Sequence, residues 1–310
     1  MINLEPIKQI KLFGLNKFIS ELIRLYENDN IPNKILLSGQ KGLGKSTLAY
    51  HFINYVLSKD EDFKYDVKNF EIKSENRTFK TILNKSNPNL ILIDVNSEKK
   101  SINITQIREL IFNLNKSSFN DKPRFVLVDN IENLNTNSVN ALLKVLEEPN
   151  FNVHFILINS NKKILPTLLS RCINFKITLT NNENLVIADQ LLKGKLYETI
   201  NMDLINYYLT PGNIYNLFKF AKINNYDLID FDLNKFLKIV IKENHYKKDN
   251  LIKYMLLDMI EFYFRKVNLT FSSKIYDKYS YFIKRISDTQ KFNLDEESIF
   301  VEFEEEVLNG

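Results

Sequence analysis

Four short, unbroken apolar runs mark the first half of the chain: Lys34-Ile-Leu-Leu-Ser38, Leu90-Ile-Leu-Ile-Asp94, Arg124 to Val128, and Phe155-Ile-Leu-Ile-Asn159. Runs that are continuous rather than alternating predict strands covered on both faces, as in a parallel sheet. The segments between them carry apolar residues at spacings of three and four, which predict helices. Leu48, Ala49, Phe52, Ile53, Val56 and Leu57 form one such stripe. Ile107, Leu110, Ile111 and Leu114 form a second, and Val139, Leu142, Leu143 and Leu146 a third. Strand and helix in alternation predict the α/β class, an open parallel sheet with helices on its faces. A last alternating segment, Ile173 to Ile177, closes this part.

From about Thr180 the strand pattern stops, and everything onward reads as helix. Residues 181–224 give short helices interrupted at Thr210-Pro211-Gly212. Longer ones follow: Leu233, Phe236, Leu237 and Val240; the mostly apolar Leu251 to Phe264; and Ile275, Tyr279, Phe282, Ile283 and Ile286. A helix apolar on most sides belongs in a bundle or an interface. The terminal stripe Ile299, Phe300, Phe303 and Val307 backs an acidic face that reads as solvated. Three domains are therefore expected, over 1–179, 180–224 and 225–310. Between the first helix and the second strand, Phe63, Tyr65 and Val67 alternate amid mixed charge, and residues 58–87 are expected to form a hairpin-like insertion.

Composition narrows the function classes. The chain of 310 residues carries 42 Lys plus Arg against 38 Asp plus Glu, an excess too small to make a nucleic-acid polyanion the main partner, so any DNA contact is expected to be local. A single cysteine, Cys172, rules out an internal disulfide framework and, with three histidines, any four-cysteine zinc site. No apolar run reaches the roughly 18 residues of a membrane span, and Met1 to Phe13 reads as neither signal peptide nor anchor. A cytoplasmic setting is expected, with no membrane partner.

Glycine is scarce, at 7 in the chain, yet three lie within six residues. The segment Gly39-Gln-Lys-Gly42-Leu-Gly44-Lys45-Ser46, followed by Thr47, fits G-x-x-x-x-G-K-[ST] between a predicted strand and a predicted helix. Such a loop wraps phosphates with backbone N–H groups, its lysine reaches the β/γ-phosphates, and its serine binds Mg²⁺. Asp129, at the end of the third strand, is placed to hold the same metal through water. The next residue is Asn130, where a hydrolysing enzyme of this kind would carry a glutamate. Glu132 is close in sequence but does not face the same way along a continued strand. Asn159 and Ser160 end the fourth strand as polar groups that could approach the γ-phosphate. ATP or ADP with Mg²⁺ is the expected cofactor, with Ser46 and Asp129 on the metal and no zinc.

The run Asn140-Ala-Leu-Leu-Lys-Val-Leu-Glu-Glu-Pro149, followed by Leu165-Pro-Thr-Leu-Leu-Ser-Arg-Cys172, resembles the signature of bacterial clamp-loader subunits, AAA+ proteins that open the sliding clamp for the replicative polymerase. Leu12-Phe-Gly14, Gly44-Lys-Ser-Thr-Leu-Ala-Tyr50, Asn87-Pro-Asn-Leu90 and Phe292-Asn-Leu-Asp295 extend the likeness toward the delta-prime family of DNA polymerase III. The resemblance implies an AAA+ domain over 1–179, a helical lid over 180–224 and a helical collar over 225–310. It also implies assembly with gamma/tau and delta subunits in a hetero-pentamer, acting on the sliding clamp and on primer–template DNA through the complex.

It further implies that Arg171 acts in trans, as an arginine finger in a neighbouring subunit's ATP site. An isolated arginine would instead read as a surface ion pair. Cys172 reads as a small packed residue rather than a nucleophile. Three departures from a motor subunit stand out: Asn130, the absence of an arginine in Pro211-Gly-Asn213, and the missing cysteines of the zinc module found in many relatives. The first two suit a stator that does not hydrolyse ATP, whereas the intact loop leaves a gamma/tau-type motor, or another AAA+ DNA-remodelling ATPase, as the alternative.

Overall fold

The computed structural model describes residues 3–95, 101–116, 120–147, 152–205, 209–248, 250–267, 273–292 and 294–309. Glu148 and Pro149 of the signature, and Asn293, lie outside them. The elements run α1 (Asn16–Glu27), β1 (Lys34–Ser38), α2 (Lys45–Leu57), α3 (Arg77–Leu83), β2 (Leu90–Ile93), α4 (Ile104–Leu114), β3 (Arg124–Val128), α5 (Thr136–Glu147), β4 (Val153–Asn159), α6 (Pro166–Leu169) and β5 (Ile173–Lys176). Then come α7 (Asn181–Leu192), α8 (Pro211–Asn224), α9 (Leu233–Lys242), α10 (His245–Lys248), α11 (Asn250–Val267), α12 (Ser273–Phe292) and α13 (Glu297–Phe303). The chain divides into two compact units, with the break between Glu183 and Asn184.

The first unit is the expected α/β layer. Its five strands are all parallel, in the order β2-β3-β4-β1-β5. The inner strands β3 and β4 are buried almost end to end, which is why their sequences are unbroken apolar runs. One face packs α1 and α2 through Ile19, Leu22, Phe52, Ile53 and Val56; the other packs α4 and α5 through Ile107, Leu110, Leu142 and Leu146. Because all strands point the same way, their carboxyl ends share one edge. That edge carries Gly39, Asp94, Asp129 and Asn159.

The expected hairpin at 58–87 is corrected by the structure. Two isolated antiparallel bridges take the place of paired strands, Asp66 with Glu71 inside the segment and Lys11 with Glu71 across to the chain's start, and the segment then enters α3. Tyr65 is buried while Phe63 and Val67 are about half exposed, so the three do not share a strand face. Hydrogen bonds hold the segment instead. His51 sets its Nδ1 3.0 Å from the Tyr65 hydroxyl and its Nε2 3.2 Å from the Gln9 carbonyl. Since a carbonyl only accepts, Nε2 carries the proton and Nδ1 accepts from Tyr65; burial pushes the ring down to about 4, so it stays neutral. The Asn54 amide donates to Asn76 Oδ1 at 2.9 Å, and Asn76 donates to the Phe63 carbonyl at 2.8 Å. Asn76 Oδ1 also accepts from the Phe79 amide, capping α3.

The second unit is helical. A single apolar core runs through it from Ala188 to Leu308. Residues of α11 supply much of it, with Ile252, Met255, Leu256, Leu257, Met259, Ile260 and Phe264 buried. Phe264, Phe282 and Phe303 meet with ring centroids 5.5–5.7 Å apart. Among the described residues no helix is long and apolar enough to cross a membrane.

Replacing Asn76 by Ala removes an N-cap and leaves the buried Asn54 amide and the Phe63 carbonyl without their partner. Asn76→Ala is expected to lower the free energy of urea unfolding by about 2–4 kcal/mol. A loss below about 0.5 kcal/mol, the range of an ordinary surface change, would contradict the role given to this network.

Candidate nucleotide site

The loop between β1 and α2 is shaped by what a side chain would strike. Gly39 has φ +154°, and a Cβ there would lie 2.4 Å from the Ile177 carbonyl oxygen. Gly44 is left-handed at φ +86° and serves as the N-cap of α2, so no side chain caps that helix. Amide N–H groups of the first turn of α2 are thus open toward the loop, at the positive end of a helix of 13 residues. Gly42 adopts φ +87° between them. The three glycines give the backbone the curvature of a phosphate cradle.

Lys45 is 4% exposed and donates to two carbonyls of its own loop, Gly39 at 2.8 Å and Gln40 at 2.6 Å. Burial pushes its ammonium down to about 8, against the opposing pull of the Asp129 and Glu132 carboxylates. Ser46 Oγ donates to Asp129 Oδ2 at 2.6 Å, so the residues expected on one metal are already in contact across 83 positions of sequence. Burial raises Asp129 above the ordinary carboxylate range, and the neighbouring Asp94 charge adds to that, while the Ser46 hydroxyl and the Asn130 amide work the other way. Thr47 is partly buried in the first turn of α2.

The donor set fits a magnesium nucleotide: uncapped helix amides and an ammonium for phosphate oxygens, and a hydroxyl with a carboxylate for a hard cation. When bound, that group would supply a phosphate chain whose charge the metal and Lys45 neutralise. The residues here would bind and orient it.

The remaining expected residues lie at or beside the edge, with different engagements. Asn159 is buried, and its amide donates to the Lys162 carbonyl at 3.0 Å while its Oδ1 accepts from the Lys162 amide at 3.2 Å. Its side chain closes a local turn rather than opening toward the loop; its backbone carbonyl accepts from Gly39 at 3.3 Å. Glu132 accepts from the Ser160 amide at 3.3 Å and so ties β3 to β4. Asn130 is left-handed at φ 55°, and its carboxamide donates to Asp94 at 2.8 Å. Asp94 was not expected here, although two apolar strands each ending in aspartate, Leu90 to Asp94 and Arg124 to Asp129, carry the signal.

Arg171 follows the single turn α6, away from this loop in sequence. Its guanidinium donates to the Thr167 carbonyl at 2.8 Å and pairs with Glu147 at 2.6 Å. The flanking Leu165, Leu169 and Ile173 are 41–56% exposed. A half-exposed ion pair of this kind is worth about 0–1 kcal/mol, so it is readily exchanged for another anion. Cys172 packs against the α4–α5 side of the sheet, where burial pushes its thiol up to about 11.

Residues 14–181 match the family described as DNA polymerase III, delta subunit. The chain is 32% identical over 171 residues to the DNA polymerase III subunit delta' of Buchnera aphidicola subsp. Schizaphis graminum, covering 53% of this chain and 48% of that protein. It is 27% identical over 180 residues to the DNA polymerase III subunit gamma of the same organism, covering 56% and 46%. A DNA polymerase III gamma subunit-related protein from Thermotoga maritima aligns over 94% of this chain and 92% of its own at 18% identity and TM-score 0.39. The chain spans about half the length of the curated relatives it matches.

Phosphate oxygens beside Lys45 would return its ammonium toward its ordinary value, so binding takes up a proton where the free site is deprotonated. Near pH 7 the lysine contributes nothing to this exchange. Above about 8 the affinity is expected to fall toward tenfold per pH unit. Calorimetric titration with ATP and Mg²⁺ at about pH 9, in two buffers of different ionisation enthalpy, should show uptake of most of one proton. Proton release, or no exchange, would contradict the buried state of Lys45.

Proposed function

Because the chain belongs to the DNA polymerase III delta subunit family, we propose that it is a stator-like subunit of the clamp loader, of the delta-prime type. In this reading it assembles with gamma/tau and delta subunits in a hetero-pentamer that loads the sliding clamp onto primer–template DNA. It holds ATP or ADP with Mg²⁺ in its own loop without hydrolysing it, and it supplies Arg171 to a neighbour. Residues 180–224 serve as the lid and 225–310 as the collar through which subunits join.

The observation that carries the reading is the contrast at the end of β3. Asp129 is in hydrogen-bond contact with Ser46, as a metal-holding pair requires, while the adjacent residue is a carboxamide turned to Asp94. An amide cannot accept the proton of an attacking water. Arg171 fits the second half of the reading: a guanidinium near the surface, held by one weak ion pair and a hydrogen bond to the Thr167 carbonyl and flanked by exposed leucine and isoleucine, is ready to meet a partner's charge. The intact loop also favours a motor subunit of the gamma/tau type, and Asn130 counts against it.

The test is clamp-stimulated ATP hydrolysis by complexes reconstituted with wild-type or Arg171→Ala chain. The variant is expected to fold, bind nucleotide and assemble, because its ion pair contributes little. It should slow the complex several-fold, since a finger is worth roughly a thousandfold or more at the one site it faces while other sites continue. Arg171→Lys should rescue poorly, because a point charge lacks the planar fork. Equal rates at saturating ATP would remove Arg171 from the mechanism.

A further inference from the structure

Two bonds fix the Arg171 guanidinium, and their acceptors differ in kind. Nη1 donates to the Thr167 carbonyl at 2.8 Å, and Nη2 pairs with Glu147 Oε1 at 2.6 Å. The carbonyl belongs to the backbone of α6, four residues back in the chain, and moves only if that turn unwinds. Glu147 is a side chain, 52% exposed, on the last residue of α5. That end of a helix is the negative pole of its dipole and disfavours an anion. Lys34 already serves it, donating from Nζ to the Leu146 carbonyl at 3.0 Å. The Glu147 carboxylate thus sits against the helix dipole, and the cation that compensates it there is Arg171.

We propose that Glu147 is a placeholder for a neighbour's phosphate: it neutralises Arg171 until a subunit docks, then releases Nη2 to the phosphate oxygens while Thr167 keeps Nη1. The proposal rests on reading Arg171 as a group that acts in trans. Its physical reason is charge balance. Leu165, Leu169 and Ile173 make the flanks of Arg171 apolar and 41–56% exposed. Covering that surface with a bare guanidinium in it would strand a cation away from water. Exchange of one anion for another avoids this, and the half-exposed carboxylate is released into solvent. A phosphate chain carries more negative charge than one carboxylate and accepts the planar fork of the guanidinium, so the exchange runs toward the neighbour. Glu147 is then a competitor of the phosphate, and its removal helps the reaction that Arg171 serves.

The test uses complexes reconstituted with the full chain in four forms: wild type, Glu147→Ala, Arg171→Ala and the double variant. Glu147→Ala is expected to fold with an unchanged urea midpoint, since it removes an anion from the negative end of α5 along with a weak pair. An exposed pair of this kind holds its partner by at most about fivefold, so kcat/KM for clamp-stimulated ATP hydrolysis is expected to rise about two- to fivefold in Glu147→Ala. In the Arg171→Ala background the same change should do nothing, because no guanidinium is left to release. A purely structural role would move the urea midpoint and act alike in both backgrounds. An unchanged kcat/KM, a loss resembling that of Arg171→Ala, or an equal effect in both backgrounds would overturn the proposal. Failure of the trans reading shows separately, as wild-type rates with Arg171→Ala, and ends the proposal with it.

Discussion

A hydroxyl-to-carboxylate hydrogen bond of 2.6 Å, from Ser46 to Asp129, joins the start of α2 to the end of β3. It forms only if β1 and β3 run parallel with β4 between them, so that both chain segments emerge at one edge. The parallel ladder is in turn held by continuous apolar strands buried on both faces, Phe125 to Val128 and Val153 to Ile158 among them. The site is therefore a consequence of the core. A change that shifts β3 by one residue would turn Asp129 away from Ser46 and reverse every buried side chain of that strand.

Much of this was legible in the chain itself. The phosphate loop stood out because glycine is otherwise rare, and each glycine proves to occupy a positive-φ position, one of them pressed against a carbonyl. The inner strands β1, β3 and β4 were legible because burial on two faces leaves few polar positions to blur the run. Segment 58–87 was not, because it is held by Asn54, Asn76, His51 and Tyr65. Single polar contacts of this kind have no period to read. The bond between Asp94 and Asn130 was hidden for another reason: it spans 36 residues and exists only once the strands are in register. Asn159 shows the reverse case. Its place at a strand end was legible, whereas the use of its amide in a turn with Lys162 depended on where the chain goes next.

The electrostatics of the edge are consistent with a site that waits for charge. Lys45 donates to carbonyls of its own loop and is held below its usual range by burial, while Asp129 is held above its own for the same reason. Both shifts would be relieved by a magnesium nucleotide, which would bring anions to the ammonium and a cation to the carboxylate. The same edge presents no carboxylate next to Asp129 in the chain, and in the proposed reading that separates holding a nucleotide from breaking it. In the proposed assembly the two tasks are divided among subunits, with Arg171 contributing to a reaction that happens elsewhere.

Retention without turnover is the central claim. The most direct measurement loads the purified chain with radiolabelled ATP and Mg²⁺, removes free nucleotide, and follows the identity of what stays bound. One nucleotide per chain is expected, recovered as intact ATP over many times the residence typical of a motor subunit. Sustained conversion to ADP, abolished by Lys45→Ala, would contradict the account and make this chain a motor.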